Sequence, residues 1–150
     1  MALGDPTVFA ALFAALYAAH EVGDHWVQTS TQACGKGGPG WAGRAACARH
    51  VASLTLTKAA ALAVVVLVLG VAAHPVAVAV ALAVDAVSHY WADRRTTLQA
   101  LARRVGKAEF AQLGDGAVAP TGTGAYALDQ SWHIGWLAVA ALIASVGGAA

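Results

Sequence analysis

The sequence predicts an all-α polytopic membrane protein: one domain over residues 1–150, with four transmembrane helices and a short amphipathic helix in its second long connection. Three observations carry that prediction. Hydrophobic residues make up 59% of the chain and charged ones only 11%, against about 25% charged in ordinary soluble domains. Long stretches carry no charge at all: 26 positions from Ala59 to Val84, all of His133–Ala150, and everything before His20 except Asp5. Eight of the nine Lys and Arg residues fall in just two connections. Composition alone would admit an Ala-rich soluble bundle, but a soluble helix needs a polar face for water, and these stretches have none.

Apolar runs of roughly 17–25 residues suit a hydrocarbon core about 30 Å thick. The first span covers about residues 6–27. It lacks the basic start and small-residue cleavage site of a signal peptide, so it reads as a retained helix. The second and third, about 51–73 and 75–92, are joined by His74-Pro75. That link permits only a tight hairpin, with proline suited to opening the next helix. The fourth span covers about 129–148. A Gly-rich loop, TSTQACGKGGPGWAGRAACAR, joins the first two spans, and residues 94–128 join the last two. In that second connection Leu98, Leu101, Ala102 and Val105 recur at helical spacing beside Arg94, Arg95, Arg103, Arg104 and Lys107. Such a pattern suits a helix lying on an anionic membrane surface, or charges that only set topology.

Lys36, Arg44 and Arg49 lie in the first connection and five basic residues in the second, while both tails and the 74–75 hairpin have none. Lys and Arg accumulate in cytoplasmic loops, so both long loops are expected in the cytoplasm and both termini outside. Cys34 and Cys47 then face a reducing compartment and are expected as thiols. The basic residues are too few, and too poor in interleaved aromatics, for nucleic-acid binding. The expected surroundings are the lipid bilayer and an anionic lipid or other amphiphile. Ala- and Gly-rich helix faces also admit a homo-oligomer.

This topology sends the polar ends of all four spans to one leaflet. The first ends with His20, Asp24 and Gln28, the second opens with His50, the third ends with Asp85, His89 and Asp93, and the fourth opens with Asp129, Gln130 and His133. Residues four apart share a helix face, so each set forms a polar stripe that can turn inward. Imidazole and carboxylate together suit zinc, manganese or iron, and helical bundles build metal sites from inward-facing side chains. The expected ligands are His20, Asp24, His50, His89, Asp93, Asp129 and His133. Of these, all but His20 are also candidates for catalysis. Gln28, Asp85 and Gln130 would support them. Blander readings are available for single residues: Asp129 as a helix cap, Asp93 paired with Arg94 at the surface, Lys58 snorkelling to the headgroups, and His25 at the interface.

The sets His20-x3-Asp24-x3-Gln28, His89-x3-Asp93 followed by basic residues, and Asp129-Gln130-x2-His133 resemble the domain-of-unknown-function 3307 family of small bacterial and phage membrane proteins. The resemblance spans about residues 16–140. It implies a bacterial inner-membrane location and the same residue list, with Lys36 and His50 matching a lysine and a histidine of the family pattern. The family has lysine where this chain has Arg94 and Arg95, and it brings no established activity.

The function expected from the residues is a metal-dependent membrane hydrolase with its site at the cytoplasmic leaflet. Its substrate would be a lipid or another amphiphile, with a phosphate met by Arg94, Arg95 or Arg103. The competing expectations are a metal or proton transporter, which needs polar residues through the full bilayer depth, and a non-catalytic partner of other membrane proteins.

Overall fold

The computed structural model describes residues 4–116 and 122–147. The last expected position of the fourth span, 148, lies outside them, as do residues 117–121 of the connection expected between the third and fourth spans. All described regular structure is helical: α1 (Pro6–Val22), which continues into a π-helical turn over Gly23–Val27, α2 (Ser30–Gly35), α3 (Gly40–Leu69), α4 (Pro75–Asp93), α5 (Thr96–Arg104), α6 (Ala108–Ala111) and α7 (Gly124–Ala144). An isolated bridge pairs Gly4 with Val146.

Local chemistry sets the ends. Asp5 caps α1 by accepting hydrogen bonds from the Thr7 and Val8 amides, with Pro6 at the first helical position, a position where proline's missing N–H is no loss. Thr29 and Gln32 form a reciprocal capping box at α2. Gly70, at φ +65°, ends α3 in the left-handed conformation, which glycine adopts without strain. Pro75 opens α4. Thr123, not Asp129, caps α7, so Asp129 lies inside the helix and its capping role is ruled out.

Among the described residues, three helical segments are long and apolar enough to cross a membrane: Pro6–Val27, Gly40–Leu69 and Pro75–Asp93. The first half of α7 carries Asp129, Gln130, Ser131 and His133, and this helix is not among the three. At 1.5 Å per residue, the 30 residues of α3 run about 45 Å. This helix therefore begins well inside the stretch expected as loop, and stops four residues short of the expected 73.

The bundle buries polar groups and exposes apolar ones along the same helices. On α3, His50 and Lys58 are buried while Leu56, Val64, Leu67, Val68 and Leu69 are exposed. On α4, Asp85, His89 and Asp93 are buried and Val76 and Val87 exposed. Water would penalise that arrangement; lipid accepts it. Small residues let α4 and α7, the most extensive helix pair, approach closely: Ala81, Ala140, Ala141 and Ala144 are all fully buried. Together with Val8, Leu12, Leu16, Leu62 and Leu137 they form one apolar core. In lipid such a core is held by dispersion contacts more than by expulsion of water. It fills the half of the bundle away from the polar helix ends.

Candidate metal centre

The polar ends of α1, α3, α4 and α7 meet above that core. Gly23 opens the π-turn against α3, where an added Cβ would stand 2.3 Å from Leu54 Cδ1. The π winding, closed by Gln28 N to Gly23 O at 3.0 Å, breaks the simple four-residue stripe. His20 stays deep in the bundle while Asp24 is carried to its mouth. One-turn π segments of this kind are frequent at functional sites.

At the centre, His50 Nε2 and His89 Nε2 are 3.1 Å apart. Asp93 Oδ2 lies 3.3 Å from the first and 3.2 Å from the second. Asp24 Oδ1 lies 3.0 Å from His50 Nε2. Metal–ligand bonds of about 2.0–2.1 Å place tetrahedral donors about 3.3 Å apart, so these atoms already stand at the edge length of a coordination tetrahedron. Two overlapping triads, Asp24/His50/His89 and His89/Asp93/His133, each keep their donor atoms within 4.8 Å. They share His89 and so describe one centre. The rings of His89 and His133 stack at 3.9 Å between centroids.

Six buried polar atoms here lack a hydrogen-bond partner: both nitrogens of His20, Nδ1 of His50 and of His89, Asp93 Oδ2 and His133 Nε2. Asp93 Oδ2 is close to two ring nitrogens, yet the contacts are not aligned as hydrogen bonds. Each such orphan costs about 1–3 kcal/mol. Of these, Asp93 Oδ2 stands within the triangle of donors, and a cation there would give it a partner.

Five of the seven expected ligands thus come together: Asp24, His50, His89, Asp93 and His133. His20 lies beside them, its ring 5.1 Å from that of His133 and 5.5 Å from that of His89. Asp129 stands at the rim, 3.5 Å from His133 Nε2, with Gln130 Nε2 donating to it at 3.4 Å. Gln28 donates to Asp24 at 3.4 Å. Asp85 does not reach the centre. It accepts from Lys58 Nζ at 2.6 Å, both side chains buried, so Lys58 does not snorkel outward. Asp93 is buried within the cluster and is not a surface partner of Arg94. His25 is peripheral, with its ring against Tyr126 Oη at 3.2 Å.

Lys36, which residue spacing does not bring to the centre, stands against its carboxylates. Its Nζ lies 2.9 Å from Asp93 Oδ1 and 3.3 Å from Asp24 Oδ1. Burial alone would lower the ammonium's pKa, but the two carboxylates hold it above the ordinary lysine value. Arg94 fixes this residue in place, its guanidinium donating to the Lys36 and Gly38 carbonyls at 2.6 Å each. Arg94 is therefore committed to the fold and not free for substrate. A cavity of about 450 Å³ opens over the centre, with Asp24, Lys36, Asp93, Arg95, Asp129 and Gln130 on its walls. Arg103 is not among its lining residues.

No family model, curated protein or solved structure matches the chain.

Proposed function

We propose that this chain is an integral membrane protein that binds one divalent transition metal between α1, α3, α4 and α7 and uses it for hydrolysis. Zinc, manganese and iron all suit the donor set. One observation carries the reading: His50 Nε2, His89 Nε2 and Asp93 Oδ2 form a triangle with 3.1–3.3 Å sides in a buried site. Three protein donors with a further position open toward a cavity is the pattern of hydrolytic metal sites, and the metal would supply an acidic bound water. Asp24 and Asp129, at the boundary between centre and cavity, are placed to take a proton from a water there. The cavity's location at the polar helix ends supports an amphiphilic or headgroup-bearing substrate.

In this reading α7 is the fourth span and both long loops lie in the cytoplasm, as the basic residues argue. Full-length protein purified in detergent should carry about one metal per chain by elemental analysis, reduced in His89→Ala and His133→Ala. Folded wild-type protein that carries no metal, or metal content unchanged by those substitutions, would sink the proposal. A reporter fused to the C-terminus should be active only outside the cytoplasm; activity inside would reverse the orientation.

A transporter is the second reading, and the buried Lys58–Asp85 pair below His20 favours it. The apolar core of Leu12, Leu16, Leu62 and Leu137 weighs against it, because it closes the opposite half of the bundle. Proton or metal flux into liposomes that depends on Asp85 would decide for transport.

A further inference from the structure

Lys36 belongs to both the centre and the cavity. Its ammonium pairs with Asp24 and Asp93, and Asp93 is the carboxylate that would meet a metal. It also lines the cavity, together with Arg95 and the imidazole of His25. Arg95 opens α5 at φ +57°, and its side chain crosses Gly37, where an added Cβ would stand 2.6 Å from Arg95 Cδ. Its Nη2 donates to the Ala33 carbonyl at 3.1 Å, leaving other N–H groups of the guanidinium uncommitted.

We propose that the cavity binds a compact oxyanion of the phosphate class between Lys36 and Arg95, and that it does so only when a divalent cation occupies the His/Asp centre. The inference rests on the metal reading above. Charge decides the direction. With His25 neutral, Asp24, Asp93 and Asp129 set three negative charges on the cavity wall against the two positive charges of Lys36 and Arg95. The wall is net negative by one and repels an anion. A divalent cation turns that into a net positive charge of one. It also takes over Asp93, the nearer of the two carboxylates that hold the Lys36 ammonium, and so frees that ammonium to turn toward the cavity. An ammonium and a guanidinium fork together suit phosphate oxygens. Gln28, Gln99 and Gln130 add amide donors around the same space. The phosphate could be free or the headgroup of a phosphomonoester lipid; the recognition chemistry is shared.

Binding linkage is reciprocal, so phosphate must tighten metal binding by the factor that metal tightens phosphate, in the typical range of about 5–150-fold. The test uses full-length protein with manganese held below the protein concentration. Binding of inorganic phosphate is followed by manganese-induced broadening of its phosphorus resonance and by the shift in manganese affinity. A parallel arm places the protein in nanodiscs of phosphatidylcholine with or without phosphatidic acid. Coupling seen with inorganic phosphate identifies a free anion; coupling seen only with phosphatidic acid identifies a headgroup.

Lys36→Met should abolish the coupling in either arm. It should also tighten manganese binding when phosphate is absent, because no internal cation then has to be displaced; a merely structural lysine would give weaker manganese binding instead. Arg95→Gln, at an exposed position, should lower phosphate affinity without disturbing the fold. If manganese binds but phosphate affinity is the same with and without it in both arms, the inference is overturned and the metal reading stands. If the wild-type protein binds no metal, both fall.

Discussion

Replacing Lys58 with methionine removes one partner of a buried ion pair. The two charged atoms are 2.6 Å apart. At an effective dielectric of about 20 their attraction is roughly 6 kcal/mol. Desolvating each ion costs several kcal/mol, so the pair as a whole stands close to an apolar replacement in free energy. Breaking it from one side is different, because the survivor remains buried without a counter-charge. Lys58→Met and Asp85→Leu should therefore each destabilise the protein by about 3–5 kcal/mol, a range limited by the orphan gaining or losing a proton. The double variant Lys58→Met/Asp85→Leu should lie within about 1 kcal/mol of wild type or above it. Reversible unfolding in mixed micelles, run as a double-mutant cycle, measures the coupling. Metal content of the double variant checks that α3 and α4 still bring His50 and His89 together. A double variant whose loss equals the sum of the two single losses would refute the pairing.

Two further predictions concern the loop that carries Lys36. An alanine at Gly43 would place its Cβ 2.0 Å from the Gly38 carbonyl oxygen, which also accepts from Arg94; Gly43→Ala should destabilise the loop by about 1–3 kcal/mol and expose Lys36 and Arg44 to trypsin, and unchanged cleavage would refute the close contact. Because its folded pKa is raised, Lys36 contributes stability that is complete below the ordinary lysine value of about 10.4 and is lost only as pH rises through the higher folded value. Thermal stability should then show no loss from this clamp between about pH 7 and about pH 9, and a fall that Lys36→Met eliminates would contradict the assignment.

Much of the centre was legible in the sequence. His50, His89, Asp93 and His133 sit where charge-free stretches meet polar helix ends, and buried charge in lipid is costly enough to be kept for a purpose. The Lys58–Asp85 pair has its signal in helix register. Lys58 lies 11 residues before the end of α3 and Asp85 lies 10 residues after the start of α4, so a tight hairpin puts both at one depth.

The sequence by itself determined the helical class, the apolar segments and the residue types at each helix end, because periodicity and charge placement are local properties. Tertiary structure alone decided which polar residues converge. The π-turn at Gly23–Val27 separates His20 from Asp24, and nothing in the chain's pattern announces an extra residue in a turn. Close approach at Gly43 and the Arg94 fork fold the α2 segment back over α4, which puts Lys36 against two carboxylates 12 and 57 residues away in sequence. Such contacts depend on loop geometry and on backbone acceptors that every residue possesses, so residue type alone does not encode them.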